Sequence, residues 1–195
     1  RKSNTQSNRG SEENFPAAEV SWHDAKEFCL KLTTVERTAR LIDENAEYRL
    51  PTEAEWEFAC RAGTTTQFSF GEKPREYSTE FQDALHRHAA CGIAGRHLGL
   101  CGSKLPNAFG LHDMHGNVAE WCEDYFGPYS PNAVRDPRGP KSGTGHVYRG
   151  GGWDTHERGC RSAFRYRLQP SNKDPGLGFR VCLTVFPSSE KRPRD

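Results

Sequence analysis

Residues 107–121 have the sequence NAFGLHDMHGNVAEW, and the interpretation of the whole chain starts from this stretch. It contains too much glycine and asparagine for a helix, and its apolar residues do not alternate as they do in a strand. The pattern predicts a long ordered loop that runs on to about Asp124. Ordered loops of this length commonly carry function.

This loop offers several oxygen atoms that a hard cation could bind. Asp113 and Glu120 supply carboxylates, Asn117 supplies an amide, and the bend expected at Gly116 frees backbone carbonyls. Ca²⁺ prefers about six to eight oxygen ligands from side chains and main chain. The alternative is that Asp113 and Asn117 only hydrogen-bond to their own backbone in Asx turns. The residues alone leave both interpretations open.

Composition predicts one loop-rich domain anchored by aromatic residues. The chain has 195 residues, of which 34% are hydrophobic, with 19 Gly, 12 Pro and 4 Trp. The formal net charge of +1 and the scattered basic residues favour neither nucleic acid nor a membrane as a partner. No apolar run reaches membrane-spanning length, and no stretch has the pattern of a signal peptide.

The seven cysteines match no standard pattern. Their number is odd and none form a C-x-x-C pair, which argues against a complete disulfide framework and against a zinc ribbon. A zinc cluster can be drawn from the imidazoles and thiols between residues 86 and 101, although its spacing is not standard. Scattered buried thiols are the interpretation we favour.

A first helix is predicted over residues 22–33. Ser21 and Asp24 form a capping box at its start, and apolar residues recur at helical spacing behind them. The face expected to turn inward carries Ala25, Phe28, Cys29 and Leu32.

A second helix is predicted between Thr52 and Gly63. Thr52 forms a capping box with Glu55, and Gly63 ends the helix. Glu53 and Glu57 lie with Glu55 in the first turns, where the helix dipole favours carboxylates. Three glutamates could suggest acid–base chemistry, but their position predicts that they are caps.

The rest of the chain is predicted to consist of strands and long loops. Residues 64–70 are expected to form a strand, residues 71–106 an irregular region, and residues 128–143 an open connection rich in proline. Further strands are expected over residues 145–153, 160–167 and 177–185. In the last strand one face would carry Phe179, Val181, Leu183 and Val185. Two short helices with antiparallel strands indicate the α+β class.

Five motifs occur in an order that is typical of one family: LPTEAEWEFACRAG, NAFGLHDMHGNVAEW, YRGGGW, CRSAFRYR and GLGFRV. Over residues 15–186 the chain resembles the formylglycine-generating enzyme family, also called sulfatase-modifying factors. The resemblance implies a C-type-lectin-like fold. Residues 1–14 would be a flexible lead-in and residues 187–195 a polar tail. Since the family usually has a further segment before the first helix, we expect a fragment, a processed form or a shortened member.

The resemblance also implies a structural Ca²⁺ in the central loop. Its ligands would be the carboxylates of Asp113 and Glu120 and the main-chain carbonyls of Gly116 and Val118. This set agrees with the oxygen atoms identified above. The ion would hold the loop rigid. A second calcium site of the family has no match within residues 71–106 and is not predicted.

Copper chemistry does not transfer from the family. Active members use two cysteines five residues apart to bind Cu(I) and oxidise a substrate cysteine to formylglycine. The later cysteine corresponds to Cys160, but the earlier one corresponds to Thr155, whose hydroxyl is a poor ligand for a soft ion. The family's serine, tryptophan and asparagine nearby are replaced by Gly152, Ala119 and Gly176. We therefore do not expect copper-dependent cysteine oxidation.

The role of Cys160 stays open at this point. It could act alone as a nucleophile, because the guanidinium groups of Arg158 and Arg161 would lower its thiol pKa. The alternative, which we favour, is that Cys160 is a packing residue.

The disulfides of the family are also incomplete here. The cysteine of the family's first helix corresponds to Cys29, but its usual partner position holds Val181. Cys182 lies one residue later, on the opposite face of a regular strand, so a bond to Cys29 would need a bulge. The partner position of Cys60 holds Arg165. Reduced thiols are expected, in a cytoplasmic bacterial protein.

The cleft is expected to bind a ligand rather than to oxidise one. The predicted ligand-binding residues are Trp153, His156, Glu157, Arg158, Arg161 and Arg165. Their arginines favour a peptide or a small anionic ligand, unless the segment is only a solvated loop. Two alternatives remain. One is an oxygen-dependent oxidoreductase of the formylglycine-generating or a related type, with His156 and Glu157 as acid–base groups. The other is an accessory domain of a larger signalling protein or sulfatase.

Overall fold

The computed structural model describes residues 14–74, 78–92 and 97–187. Nearly all of the predicted lead-in and most of the predicted tail lie outside these ranges. The elements in chain order are α1 (Trp22–Thr38), β1 (Ala46–Arg49), α2 (Glu53–Arg61), α3 (Thr79–His88), β2 (Ala119–Tyr125), β3 (His146–Arg149), a 3₁₀ helix (Glu157–Cys160), β4 (Tyr166–Leu168), β5 (Leu177–Phe179) and β6 (Cys182–Val185). Within the described ranges, no helix combines the length and apolar character needed to cross a membrane.

Helix α1 begins where its capping box predicts. The Asp24 amide donates to Ser21 Oγ at 3.1 Å, and the Ser21 amide donates to Asp24 Oδ2 at 2.9 Å. The helix continues to Thr38, beyond the predicted end. Of the predicted inward face, Ala25 and Cys29 are buried, whereas Phe28 stays 48% exposed and touches only the edge of the sheet.

Helix α2 also begins at its predicted cap. Thr52 and Glu55 exchange both capping-box hydrogen bonds, at 3.2 and 2.7 Å. The helix ends through Ala62, which adopts a left-handed conformation with φ of 47°, followed by Gly63 with φ of 90°. The cap prediction is confirmed for Glu55. Glu53 and Glu57 belong instead to buried ion pairs.

Helix α3 lies inside the region predicted to be irregular. Ser78 caps it by accepting a hydrogen bond from the Phe81 amide at 3.2 Å, and Phe81 and Leu85 bury one face. Two buried anchors one helical turn apart are a weak sequence signal, which explains why the helix was missed. The strand predicted over residues 64–70 is wrong, because Phe68 and Gly71 form only an isolated bridge across a turn.

In the described part of the chain, the strands form two separate sheets. One has the order β4-β3-β2-β5, in which the β2–β5 pair is parallel and the others are antiparallel. The other pairs β1 with β6. The α+β class with mainly antiparallel strands is confirmed, and the central loop is shorter than predicted because β2 begins at Ala119.

The strand predicted over residues 177–185 is divided between these sheets. β5 pairs with β2, and β6 pairs with β1 after the chain changes direction at Arg180. The predicted common face is therefore wrong, and Leu183 and Val185 are largely exposed. The strand predicted over residues 160–167 likewise keeps only the part from Tyr166 onward.

Among the described residues, the buried side chains form three small clusters. The first joins α1 to the sheet and contains Ala25, Cys29, Leu50, Ala119, Trp121 and Leu177. The second lies under α2 and contains Trp56, Cys60, Met114, Cys122 and Val147. The third surrounds α3 and contains Phe68, Phe81, Leu85, Ala89, Cys91 and Cys160. The seven cysteines, all within the described ranges, are free thiols.

Candidate functional site

Asn107 fixes the start of the central loop. Its side-chain amide donates to Ala59 O at 2.7 Å, at the end of α2. Its Oδ1 accepts hydrogen bonds from the amides of Phe109 and Leu111, at 3.0 and 3.1 Å. One asparagine therefore ties the loop to α2 and shapes its first turn.

The centre of the loop is strongly bent. Asp113, Gly116 and Asn117 have positive φ angles of 61°, 124° and 69°. A Cβ at Gly116 would lie 2.2 Å from Ala90 O, so only glycine fits there. The Asn117 amide donates to Ala90 O at 2.7 Å, which holds the two segments together.

The four predicted calcium ligands come together. Asp113, Gly116, Val118 and Glu120 all line one cavity of about 630 Å³ beside β5. Asp113 Oδ2 accepts a hydrogen bond from the Gly102 amide at 2.7 Å. Its Oδ1 is buried and has no hydrogen-bond partner among the described residues. An orphaned carboxylate oxygen of this kind fits a cation.

Glu120 already has cationic and neutral partners. Arg180 donates through Nε and Nη2 to the two carboxylate oxygens at 2.6 Å each, and Trp56 Nε1 donates at 2.6 Å. A calcium ion would have to share Glu120 with Arg180. Asn117, considered as a further donor from sequence, instead accepts from the Gly99 amide at 2.9 Å through Oδ1. Asp113 therefore fits a calcium ion, whereas at Glu120 the ion would compete with Arg180.

The described residues contain no cluster that matches the zinc alternative. Across residues 14–74, 78–92 and 97–187, no three His, Cys, Asp or Glu side chains gather into a metal-binding group. His86 and His88 lie in the last turn of α3, and Cys101 is exposed.

Thr155 closes a turn next to Cys160. Its Oγ1 accepts a hydrogen bond from the Gly152 amide at 2.9 Å, and its own amide donates to Gly152 O at 3.0 Å. Gly151, with φ of 70°, approaches so closely that an added Cβ would lie 2.6 Å from Cys160 Sγ. The hydroxyl that replaces a thiol in this segment is therefore engaged in backbone structure.

Cys160 is buried, and its thiol pKa is raised. Its side chain is 0% exposed, and its Sγ lies 3.9 Å from the carbonyl oxygens of Thr155 and His156. A hydrogen bond with the Cys91 thiol, together with burial, raises the pKa of Cys160 well above that of an ordinary thiol. The lowering by Arg158 and Arg161 that a lone nucleophile would need is not found.

The predicted ligand-binding residues do not share one cleft. His156 and Arg158 are exposed, and Trp153 is half-buried. Glu157 is 1% exposed and forms an ion pair with Lys73 Nζ at 2.7 Å, and its Oε2 lies 2.9 Å from His156 Nδ1. Glu157 therefore belongs to a buried ion-pair group rather than to an open surface.

Arg161 and Arg165 face a different space, which we name the arginine cavity. It has a volume of about 390 Å³ and is lined by Arg61, Thr65, Thr66, Gln67, Glu72, Arg161, Ala163, Phe164 and Arg165. The Arg161 guanidinium carbon lies 5.5 Å from the centroid of the Phe164 ring, and its Nε donates to Arg158 O at 2.7 Å. Three guanidinium groups thus border one opening.

Thr155 faces a second, smaller space, which we name the acidic cavity. Its volume is about 160 Å³, and it is lined by Ala119, Tyr148, Gly152, Asp154, Thr155, Tyr166, Asp174, Gly176 and Leu177. The rings of Tyr148 and Tyr166 stack with centroids 5.0 Å apart. Burial and the nearby carboxylates raise the pKa of Tyr148. No basic side chain is among this lining, so the segment after Gly152 is not uniformly suited to anions.

A buried ion-pair network was missed from sequence. Arg165 Nη2 donates to Glu53 Oε2 at 2.6 Å, and the Tyr129 hydroxyl donates to Glu53 Oε1 at 3.1 Å. Arg149, 0% exposed, pairs with Glu57 and donates to a backbone carbonyl. Glu53 and Glu57 lie one turn apart on α2. This spacing is the sequence signal that could have predicted a basic partner shared by both carboxylates.

Comparison with known proteins gives a consistent result. The model of the family described as sulfatase-modifying factor enzyme 1-like domain matches residues 1–185. The formylglycine-generating enzyme of Mus musculus is 30% identical over 187 residues, covering 91% of this chain and 46% of its own length. The structure named Treponema denticola variable protein 1 superimposes with a TM-score of 0.76 at 29% identity, covering 88% of this chain and 72% of that chain.

A third similar protein has a different overall description. The serine/threonine-protein kinase pkn1 of Chlamydia pneumoniae is 35% identical over 142 residues, covering 70% of this chain but only 21% of the kinase. The chain spans about half the length of the formylglycine-generating enzymes that it matches, for example 46% in mouse and 52% in Streptomyces coelicolor.

Proposed function

Because this chain belongs to the family of sulfatase-modifying factor enzyme 1-like domains, we propose that it is a ligand-binding member without copper-dependent cysteine oxidation. Its ligand is anionic, such as an acidic peptide segment, and it binds at the arginine cavity. A calcium ion in the central loop stabilises the fold. The observation that carries this proposal is the convergence of Arg61, Arg161 and Arg165 on one opening.

The residues next to Cys160 do not fit Cu(I). A soft ion needs thiolate ligands, and Thr155 offers a hydroxyl that accepts from the Gly152 amide. The thiol that does contact Cys160 belongs to Cys91, which is 1% exposed. A peptide cysteine would have to enter the core to reach an ion held between these two sulfur atoms. No step of the proposed function therefore passes through copper.

The lining of the arginine cavity contains three arginines and one carboxylate, Glu72, whose Oε1 accepts from the Gln67 amide at 3.2 Å. Arg165 pairs with Glu53 and Arg61 with Glu57, and both of these carboxylates also pair with Arg149. Arg161 has no carboxylate within salt-bridge distance among the described residues, while its remaining N–H groups border the cavity. An arginine without a carboxylate partner can form paired hydrogen bonds to an incoming carboxylate. Arg161 is therefore the residue on which binding depends most.

The proposed calcium ion would have a structural role. Asp113 and the carbonyls of Gly116 and Val118 would hold it, with Glu120 shared with Arg180. When bound, the ion supplies positive charge to the orphaned Asp113 oxygen and holds the bent loop in place. The loop in turn positions the residue 90 segment, because the Asn117 amide donates to Ala90 O.

The binding experiment uses a fluorescein-labelled peptide of glutamates, with a lysine peptide of equal length as the reference. Fluorescence anisotropy should show binding of the glutamate peptide that weakens with added salt. Arg161→Ala should weaken it about tenfold, the size expected for one lost charge-assisted hydrogen bond. Arg158→Ala is the matched control, because Arg158 is exposed and lies outside the cavity lining. Equal loss in both variants, or equal binding of both peptides, would contradict the proposal.

A second candidate function is that of an accessory domain in a larger protein. The supporting observation is the Chlamydia pneumoniae kinase, in which the matched region occupies 21% of the protein. An antibody against this domain should then detect an endogenous protein well above 22.0 kDa. A single species at that mass would exclude this candidate.

A further inference from the structure

Two buried thiols, Cys91 and Cys160, lie in the same apolar cluster. Cys91 follows the end of α3 and is 1% exposed, and Cys160 ends the 3₁₀ helix and is 0% exposed. Their side chains hydrogen-bond to each other within the apolar cluster around Phe68 and Phe81. The contact joins two segments that are far apart in sequence, so only the fold creates it.

The backbone holds both thiols in place. The Ala90 amide donates to His115 O at 3.2 Å, and His115 Nδ1 lies 2.8 Å from Cys160 O. A Cβ at Gly92 would lie 3.0 Å from Thr155 O, so the segment carrying Cys91 packs directly on the turn before Cys160. The two backbone segments that carry the thiols cannot separate without breaking these contacts.

We propose that Cys91 and Cys160 form a redox site in which a hydroperoxide such as hydrogen peroxide closes an internal disulfide. In the first step the Cys91 thiolate attacks one peroxide oxygen, the O–O bond breaks, and sulfenic acid forms with release of water after protonation. In the second step the Cys160 sulfur attacks the sulfenic sulfur and water leaves. Two thiols lose two protons and two electrons, and one hydrogen peroxide becomes two waters.

The hydrogen bond assigns different roles to the two cysteines. It lowers the pKa of the Cys91 thiol, because Cys160 stabilises the Cys91 thiolate by donating to it. The same bond, together with burial, raises the pKa of Cys160. Cys91 therefore reacts first with the oxidant and Cys160 resolves the intermediate. A peroxide is close to water in size, which suits thiols that are at most 1% exposed.

The disulfide would link the segment after α3 to the 3₁₀ helix. Thr155 of the acidic cavity and Arg161 of the arginine cavity lie on either side of Cys160 in this region. Oxidation would therefore restrict both cavity walls, and the unfolding temperature of the oxidised chain should rise because the cross-link restricts the unfolded state. This inference does not depend on the proposed anionic ligand.

The test treats the full chain with equimolar hydrogen peroxide, stops the reaction with catalase, and alkylates all remaining thiols under denaturing conditions. Intact mass should show five alkylated cysteines in the oxidised protein and seven in the untreated protein. Non-reducing peptide mapping should recover one cross-linked pair that contains Cys91 and Cys160. A cross-link between other cysteines, or loss of a single thiol only, would overturn the inference.

Variants make the assignment specific. Cys91→Ser should abolish the cross-link and leave circular dichroism unchanged, since it keeps the size and hydrogen-bonding capacity of the side chain. Cys101→Ser is the matched control, because Cys101 is exposed and does not belong to the buried cluster of the pair, and it should keep the cross-link. Survival of the two-thiol loss in Cys91→Ser, or its disappearance in Cys101→Ser, would reject the proposed pair. If Cys160→Ser fails to fold, the Cys91 and Cys101 variants still decide the outcome.

Discussion

The central loop and the segment from Gly150 to Cys160 are both bent at glycines, and both belong to motifs of the same family. They differ in whether their polar and thiol groups line a cavity. In the central loop, Asp113 and Glu120 line a cavity, and one Asp113 oxygen has no hydrogen-bond partner within the described part of the chain. In the other segment, Cys160 is fully buried and Thr155 serves the backbone. The difference teaches that the polar atoms of a retained motif are open to a ligand only where the fold places them beside a cavity.

His115 connects the two regions physically. It lies in the central loop, its Nδ1 lies 2.8 Å from Cys160 O, and the Ser69 amide donates to its Nε2 at 3.1 Å. Because the bond to Cys160 uses a backbone carbonyl, it is compatible with many residues at that position. The two regions are therefore coupled structurally whether or not residue 160 reacts.

The largest expected effect comes from adding one methyl group in each region. Gly116→Ala should lower the free energy of unfolding by about 4 kcal/mol, because its Cβ meets a backbone oxygen and its φ is unfavourable for alanine. Gly151→Ala should cost about 2 kcal/mol, because its Cβ meets the Cys160 sulfur, which can rotate away. Urea denaturation measures both.

Gly110→Ala is the matched control for these variants. Its φ is 78°, but no atom lies within 4 Å of the added Cβ, so only the backbone cost of about 1 kcal/mol remains. Equal losses in all three variants would show that backbone conformation, rather than close packing, dominates both regions.

The next effect concerns the pH dependence of the link between the regions. Burial lowers the pKa of His115 from 6.5 to about 4. The unfolded chain therefore binds a proton at higher pH than the folded chain, and stability falls as pH decreases from about 6.5 to about 4. The expected loss is about 3 kcal/mol, at about 1.4 kcal/mol for each unit of pKa difference.

Urea denaturation at several pH values should show this slope, and His115→Gln should reduce it. Burial also lowers the pKa of His146, so part of the slope should remain in that variant. His86→Gln, in the last turn of α3, is the control and should keep the full slope. An unchanged slope in His115→Gln would contradict the assignment.

Calcium should stabilise the central loop and not the other region. At a free concentration about 100-fold above Kd, the ion should add about 2.7 kcal/mol to the free energy of unfolding. Asp113→Ala should remove this increment, since it deletes the orphaned oxygen. The control variant Asp154→Ala removes a carboxylate of the acidic cavity and should keep the full calcium-dependent increment. Thermal unfolding with calcium and with a chelator measures the increment, and a gain that survives in Asp113→Ala would exclude this site.

The smallest expected effect concerns the segment from Gly150 to Cys160, where we expect no turnover of a peptide substrate. Wild-type protein with Cu(I), oxygen and a peptide containing Cys-x-Pro-x-Arg should produce no aldehyde detectable by mass spectrometry. Thr155→Cys sharpens the result, because product from this variant alone would place the loss of activity at residue 155. Aldehyde formed by the wild type would contradict the proposed function and show that both regions have kept their chemistry.

Local signals in the sequence were sufficient for several features. The capping boxes of α1 and α2 involve residues three positions apart, so their hydrogen bonds follow from local spacing. The α+β class followed from the predicted helices and strands, and the family followed from motif order. The grouping of Asp113, Gly116, Val118 and Glu120 also followed, since all four lie within one short bent segment.

Only the tertiary structure decided the remaining features, because they depend on contacts between distant segments. Residues 177–185 divide between two sheets, and Arg180 between the two strands binds Glu120; no alternation pattern reveals either contact. Residues 153–165 look like one polar cleft in sequence, but the fold directs Thr155 and Arg161 to different cavities. Sequence alone determined the family and its local turns. The burial of Cys160, and its contact with Cys91, arise from packing that brings together the segments after α3 and before β4.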